Sequence, residues 1–114
     1  MGAIKPGNYS NQEINLSLIH RALAHPIRIQ IVKIILDQHT TSAFELAKFL
    51  NVSPKTIKDH LEKLHDGQVI QYEYIHHAYL ISLHPNQMDY IQSFINYYPV
   101  SELAISPHLS KFYS

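Results

Sequence analysis

Ser53, Lys55, Thr56, Lys58, Asp59 and Lys63 crowd into residues 53–63. Their chemistry is recognition rather than catalysis. Lysine donates to phosphate oxygens or to guanine O6/N7, aspartate accepts from cytosine N4, and hydroxyls bond to either. Ser53 followed by Pro54 is an N-cap with proline at the first helical position. It places Ser53, Lys55 and Thr56 where unpaired backbone N–H groups and the helix dipole favour phosphate. On the helix that follows, Ile57, Leu61 and Leu64 form one stripe and must face a core. Lys55, Asp59, Glu62 and Asp66 lie opposite, with Thr56, Lys58 and Lys63 on the flanks. Pro54 to Asp66 is 13 residues, about 20 Å of helix, long enough to lie in a major groove. Lys55, Thr56, Lys58 and Asp59 would meet base edges, and Lys63 and Lys48 phosphates. The competing reading is a solvated face on which Lys55–Asp59, Lys58–Glu62 and Asp59–Lys63 pair at i,i+4 spacing. His60 flanks the apolar stripe and reads as a half-buried structural histidine.

A preceding helix must hold this one in place. Ser42 with Glu45 is a capping-box spacing, and Asn51-Val52-Ser53 is the only connection between the two helices. So short a turn forces the second helix across the first, the layout of a helix-turn-helix. Upstream, Ser10 with Glu13 opens a helix to about Ala24, with Ile14, Leu18, Ile19, Ala22 and Leu23 on one side. His25-Pro26 breaks it, and Pro26 starts a helix to about Gln38 that is apolar around most of its circumference and therefore central. Arg28 falls inside that apolar arc, so its stem is packed and its guanidinium paired. Downstream, Gly67 suits a C′ position. Val69–Ile75 and Ala78–Leu83 are rich in β-branched and aromatic residues and read as a hairpin turning at His76-His77. His84-Pro85-Asn86 is a breaker, and a last helix runs from about Asn86 to Tyr98, before Pro99.

The fold class is mainly α (α+β), a winged helix-turn-helix of order α-α-α-α-β-β-α. Residues 1–9 are a flexible N-terminal arm, 10–98 the winged domain with dimerisation helices, and 99–114 a tail.

The chain has 114 residues and 46% hydrophobic content, enough for one modest core. It lacks cysteine, which excludes disulfides and thiolate metal sites. No apolar run is long enough to cross a bilayer, and no signal-peptide pattern opens the chain, so a cytoplasmic location fits. Net charge is zero, but residues 1–66 carry eight basic and six acidic groups, and 67–114 one and three. The positive half holds the reading helix. Nine histidines add charge at mildly acidic pH. Without a glycine-rich phosphate loop, metal motif or nucleophile elbow, an enzyme is not expected, nor is a cofactor.

The last helix is two-sided. Met88, Tyr90, Ile91, Phe94, Ile95, Tyr97 and Tyr98 cover one half. So much aromatic surface on a small domain points to a homodimer interface, with Ile14 and Leu18 of the first helix joining Met88, Ile91, Phe94, Ile95 and Tyr98. Two reading heads would then meet half-sites about 34 Å apart. The alternative is that this helix folds back on its own domain.

Three stretches resemble the ArsR family of small bacterial and archaeal repressors: ALAHPIRIQIVKIIL (22–36), FELAKFLNVSPKTIKDHLEKLHDGQVI (44–70) and YEYIHHAYLISL (72–83). The resemblance spans about Leu16 to Pro85. It implies a homodimeric transcriptional repressor that binds double-stranded DNA and answers a signal, often a metal ion. Three departures stand out. Family wings carry Arg or Lys near the tip, whereas this hairpin has Glu73, His76 and His77. Lys58 replaces a small hydroxyl residue, and Asp59 replaces a basic or neutral one. The family's thiolate sites need cysteines that FELAKFL lacks. Its other sites use Asp and His on the last helix, which offers only Asp89. No metal site is therefore expected, although His76, His77 and His84 could gather around the wing. The function expected is a sequence-specific DNA-binding regulator. The alternative is a winged-helix protein-interaction module without DNA binding.

Overall fold

The computed structural model of the chain describes residues 6–95. A single 3₁₀ turn at Pro6–Asn8 precedes α1 (Asn11–Leu23), α2 (Pro26–Gln38), α3 (Ala43–Leu50), α4 (Pro54–Asp66), β1 (Ile70–Ile75), β2 (Ala78–Leu83) and α5 (Met88–Ile95). The expected order holds. The expected end of the last helix, with Tyr97 and Tyr98, the expected tail (99–114) and most of the expected arm lie outside the described residues.

The helix starts follow their caps. Ser10 Oγ accepts from the Glu13 N–H at 3.1 Å and Glu13 Oε1 accepts from the Ser10 N–H at 2.8 Å, a complete capping box. The second box is only half made. Ser42 Oγ accepts from the Glu45 N–H at 3.2 Å, but the Glu45 carboxylate turns to the Thr41 hydroxyl at 3.4 Å. α2 is the central helix, with Ile31, Val32, Ile34 and Ile35 all buried. α3 ends at Asn51 in the left-handed region (φ 54, ψ 49), a conformation asparagine tolerates better than most residues. The chain then turns through Val52 into the Ser53 cap of α4.

β1 and β2 pair antiparallel in the register Ile70↔Leu83, Tyr72↔Ile81, Tyr74↔Tyr79 and Ile75↔Ala78. Ile70, Ile81 and Leu83 enter the core. Further out on the same face, Tyr72, Tyr74 and Tyr79 run past the core's edge. The two-residue turn puts both His76 (φ 52) and His77 (φ 65) at positive φ, a geometry usually given to Asn-Gly. Thr41, just before α3, exchanges two backbone hydrogen bonds with Ile81 at 3.0 and 2.7 Å. That one-residue bridge ties the entry of the helix-turn-helix to the hairpin.

Gly67 is the C-cap of α4 with φ −81, an ordinary right-handed value, so the expected C′ position shifts by one residue. The left-handed residue is Gln68 (φ 60). What glycine provides at 67 is room: a Cβ there would lie 2.6 Å from Ala22 Cβ and 3.0 Å from the Leu18 carbonyl oxygen. α1 therefore crosses the end of α4 at close range. α5 begins at Met88, two residues later than expected. His84–Gln87 forms a turn first, with the Gln87 N–H donating to the His84 carbonyl at 2.9 Å and the Asn86 N–H to His84 Nδ1 at 3.2 Å.

Candidate nucleic-acid interface

α4 is anchored from beneath. Ile57, Leu61 and Leu64 are buried, each contributing about 1.5–3 kcal/mol on a full-burial basis. Lys55, Lys58, Asp59, Glu62 and Lys63 are all exposed on the remaining circumference. Ser53 Oγ accepts from the Thr56 N–H at 3.1 Å and bonds the Thr56 hydroxyl at 2.8 Å. The cap thus also fixes the Thr56 side chain, which is half-buried. Lys48 is exposed in the last turn of α3.

Of the three i,i+4 pairs open to this helix, one forms. Lys55 Nζ lies 3.5 Å from Asp59 Oδ2, with the two side chains 85% and 62% exposed. A pair so open to water contributes about 0.3–0.5 kcal/mol. Among the described residues Lys58 and Lys63 make no ion pair, so neither must break one to meet a ligand.

His60 is half-buried and does not face solvent as a free cation. Arg28 Nε donates to His60 Nδ1 at 3.1 Å, and an Arg28 terminal N–H donates to the Ala22 carbonyl at 3.2 Å. The His25 ring stands edge-on to His60 with centroids 4.7 Å apart. Burial first, then His25 and Arg28, hold the His60 pKa below its ordinary 6.5, against an opposing pull from Asp59. Nδ1 acts as an acceptor, so the imidazole is neutral and structural. Arg28 is paired as its place in the apolar arc requires, but with a histidine and a helix carbonyl instead of a carboxylate. His60 is therefore an exception to the expectation that the histidines add charge in mild acid.

The hairpin carries aromatic surface near its tip, and no Lys or Arg. Tyr74 and Tyr79 are 61% and 65% exposed, with ring centroids 4.9 Å apart. His77 stands edge-on to Tyr74 at 6.4 Å. Tyr72 leans on His65 at 5.2 Å and joins the hairpin to the end of α4. Burial, Glu62 and Asp66 push its phenol pKa up, so it remains a hydroxyl donor.

The residues expected at a dimer interface divide into two sets. Ile91 (0% exposed) and Ile95 (5%) sit in the protomer's own core, because α5 folds back against α1. His20 Nε2 and the Tyr90 hydroxyl are 2.6 Å apart, and the His20 ring also packs on Phe94. Ile14, Leu18 and Phe94 are half-buried and Met88 is exposed. These four keep surface to offer a second copy. Tyr98 lies outside the described residues.

Among the described residues no group of three or more His, Asp or Glu side chains could hold a metal ion. No helix among them is long and apolar enough to cross a membrane. Several contributors were not singled out as site residues from sequence. Thr41 and Gly67 act through non-local contacts. Arg21 lines a cleft with Arg28 and Lys63, and no local sequence pattern brings the three together.

Residues 25–72 match the family described as bacterial regulatory protein, arsR family. No curated protein matches the chain. Among solved structures, HlyU from Vibrio cholerae superposes with a TM-score of 0.68 at 18% identity, covering 78% of this chain and 96% of HlyU. A Mycobacterium bovis fragment, described as a homodimeric winged helix-turn-helix DNA-binding domain of a possible ArsR-family transcriptional regulator, gives 0.68 at 14% identity, covering 93% and 94%. HlyU from Vibrio vulnificus gives 0.63 at 17% identity, covering 75% and 88%. These likenesses bear out the winged helix-turn-helix, and the family match bears out the ArsR resemblance.

Proposed function

We propose that this chain, an ArsR-type winged helix-turn-helix protein by residues 25–72, is a transcriptional regulator that represses by binding a near-palindromic duplex as a homodimer. One observation carries the reading. α4 is pinned by three buried residues while Ser53, Lys55, Lys58 and Asp59 stand exposed along its first two turns. A helix held this way can enter a major groove without disturbing the core. Lys55, Thr56, Lys58 and Asp59 would read bases, with Lys63 and Lys48 on phosphates. Ile14, Leu18, Met88 and Phe94 would meet the second copy, and Tyr98 beyond them. The family's usual metal ligands have no counterpart in this reading, since α3 has no cysteine and α5 offers Asp89 alone.

A second reading, a protein-interaction module without DNA binding, is favoured by the Lys55–Asp59 pair and by a hairpin without Lys or Arg. Binding of the full chain to random duplex DNA across a salt series separates the two. A DNA-binding protein loses affinity with a log–log slope of about −0.9 per phosphate neutralised. An interaction module predicts no binding even at low salt, and that result would overturn the DNA-binding reading. The double change Lys55→Ala, Lys58→Ala should abolish duplex binding and lower the melting temperature by no more than loss of the exposed Lys55–Asp59 pair allows, because both side chains are exposed.

A further inference from the structure

The chain contains only two arginines, Arg21 and Arg28, and both line one open cleft of about 180 Å³ where α1, α2 and the end of α4 meet. Lys63 is the third cation on its wall, and Asp66 is the one acid. Leu18, Ala22 and Gly67 form the rest, the same three residues through which α1 crosses α4. Three cations against one carboxylate leave the cleft at about +2. The partial negative charge of the α4 C-terminus, of the order of half a unit, does not cancel this.

The cations are arranged, not merely near one another. Arg28 is held by His60 Nδ1 and the Ala22 carbonyl, which uses two of the five N–H donors a guanidinium carries. Its plane is thereby set in advance of any ligand. Arg21 and Lys63 make no ion pair among the described residues, with Asp66 or any other acid. Preset guanidinium donors beside unpaired flexible cations form a receptor for an oxyanion, which takes two parallel N–H bonds from an arginine. A cleft of about 180 Å³ has room for a phosphate group or a small dicarboxylate.

We propose that this cleft binds a small, multiply charged oxyanion, a phosphate or dicarboxylate, as an effector that loosens the hold of α4 on DNA. The site itself stands on the cleft. The effector role rests on the DNA-binding reading and works through Lys63. A cation that bonds an anion between α1 and α4 is drawn off the DNA backbone it would otherwise meet.

The test uses the full chain labelled with ¹⁵N and titrated with sodium phosphate at constant ionic strength, with chloride as the control. Having two arginines, the protein gives two side-chain Nε–H signals, which Arg21→Gln assigns. Both should move together and saturate in the low millimolar range with phosphate and not with chloride. Arg21→Gln should weaken phosphate binding at least about tenfold, the effect of losing one charge-assisted hydrogen bond. Arginine signals that fail to saturate, or move equally with chloride, overturn the site. Phosphate should then weaken duplex binding by the native chain beyond the chloride control and leave Arg21→Gln unaffected, while Arg21→Gln alone binds duplex as the native chain does. If Arg21→Gln itself loses duplex affinity, the cleft seats a DNA phosphate and the effector role is overturned. Because the arginine signals need no DNA, a chain that bound no duplex would overturn the DNA reading and leave the anion site standing.

Discussion

Replacing Gly67 with alanine measures how closely α1 must cross α4. The added Cβ would meet Ala22 Cβ at 2.6 Å and the Leu18 carbonyl oxygen at 3.0 Å. Comfortable carbon–carbon contact begins near 3.5–4.0 Å, so about 1 Å of separation must be found. Neither neighbour can supply it by rotating, since one is a methyl fixed to α1 and the other is α1's backbone. The φ of −81 suits alanine, so backbone strain does not enter and the cost is steric alone. Overpacking of this kind costs about 1–3 kcal/mol, a large share of the 5–15 kcal/mol total usual for a domain. Urea unfolding followed by circular dichroism should show a lower midpoint at an unchanged slope. Adding Ala22→Gly removes the methyl that Gly67→Ala meets, so the double variant should be more stable than the sum of the single effects predicts, even though glycine inside a helix costs about 1 kcal/mol. A Gly67→Ala protein as stable as the native chain, or effects that simply add, would refute the close crossing and with it the shape of the cleft.

Other perturbations address separate parts of the molecule. At the hairpin tip, His76→Asn with His77→Gly should raise stability by about 1–2 kcal/mol, because both positions have positive φ and each such residue without a Cβ-free or asparagine backbone costs about 1 kcal/mol or more; thermal unfolding reads it. Ile91→Ala should cost about 2–5 kcal/mol, while Met88→Ala should leave stability within about 0.5 kcal/mol and shift light-scattering mass toward the monomer. His60 has a folded pKa below 6.5, so on acidification the unfolded chain takes the proton first. Its contribution is complete above 6.5 and is lost as the pH falls from there toward the folded pKa. The native melting temperature should therefore fall more steeply from pH 7 to 5 than that of His60→Asn, and equal slopes would remove His60 from the account.

Local chemistry was legible in the sequence and long-range chemistry was not. Ser10 with Glu13, and Ser53 with Pro54, announce helix starts because a cap bonds within three residues of itself. The stripe Ile57, Leu61, Leu64 shows which side of α4 is buried for the same reason. Glu45 sits at the right spacing to close a box, yet Thr41 takes its carboxylate. Thr41 in turn pairs with Ile81, forty residues away (81 − 41), and no periodicity records a one-residue bridge. Arg28 in an apolar arc demands a partner, but only the fold brings His60 to it. The two-sided pattern of α5 is plain from sequence, whereas what covers each part of its apolar face depends on where α1 lies. The reading helix was legible as a candidate; the cleft was not, because Arg21, Arg28 and Lys63 come from three helices.

Ile91 and Ile95 complete the core from within one chain, and this separates folding from any pairing with a second copy. The chain can finish folding before it meets a second copy. On the proposed reading, in which two copies meet, pairing is a reversible step governed by dilution. At low abundance a folded but single protein would persist without being cleared as misfolded, and occupancy of a two-headed site would rise with the square of its concentration. The proposed regulator would then have a threshold set by its own concentration.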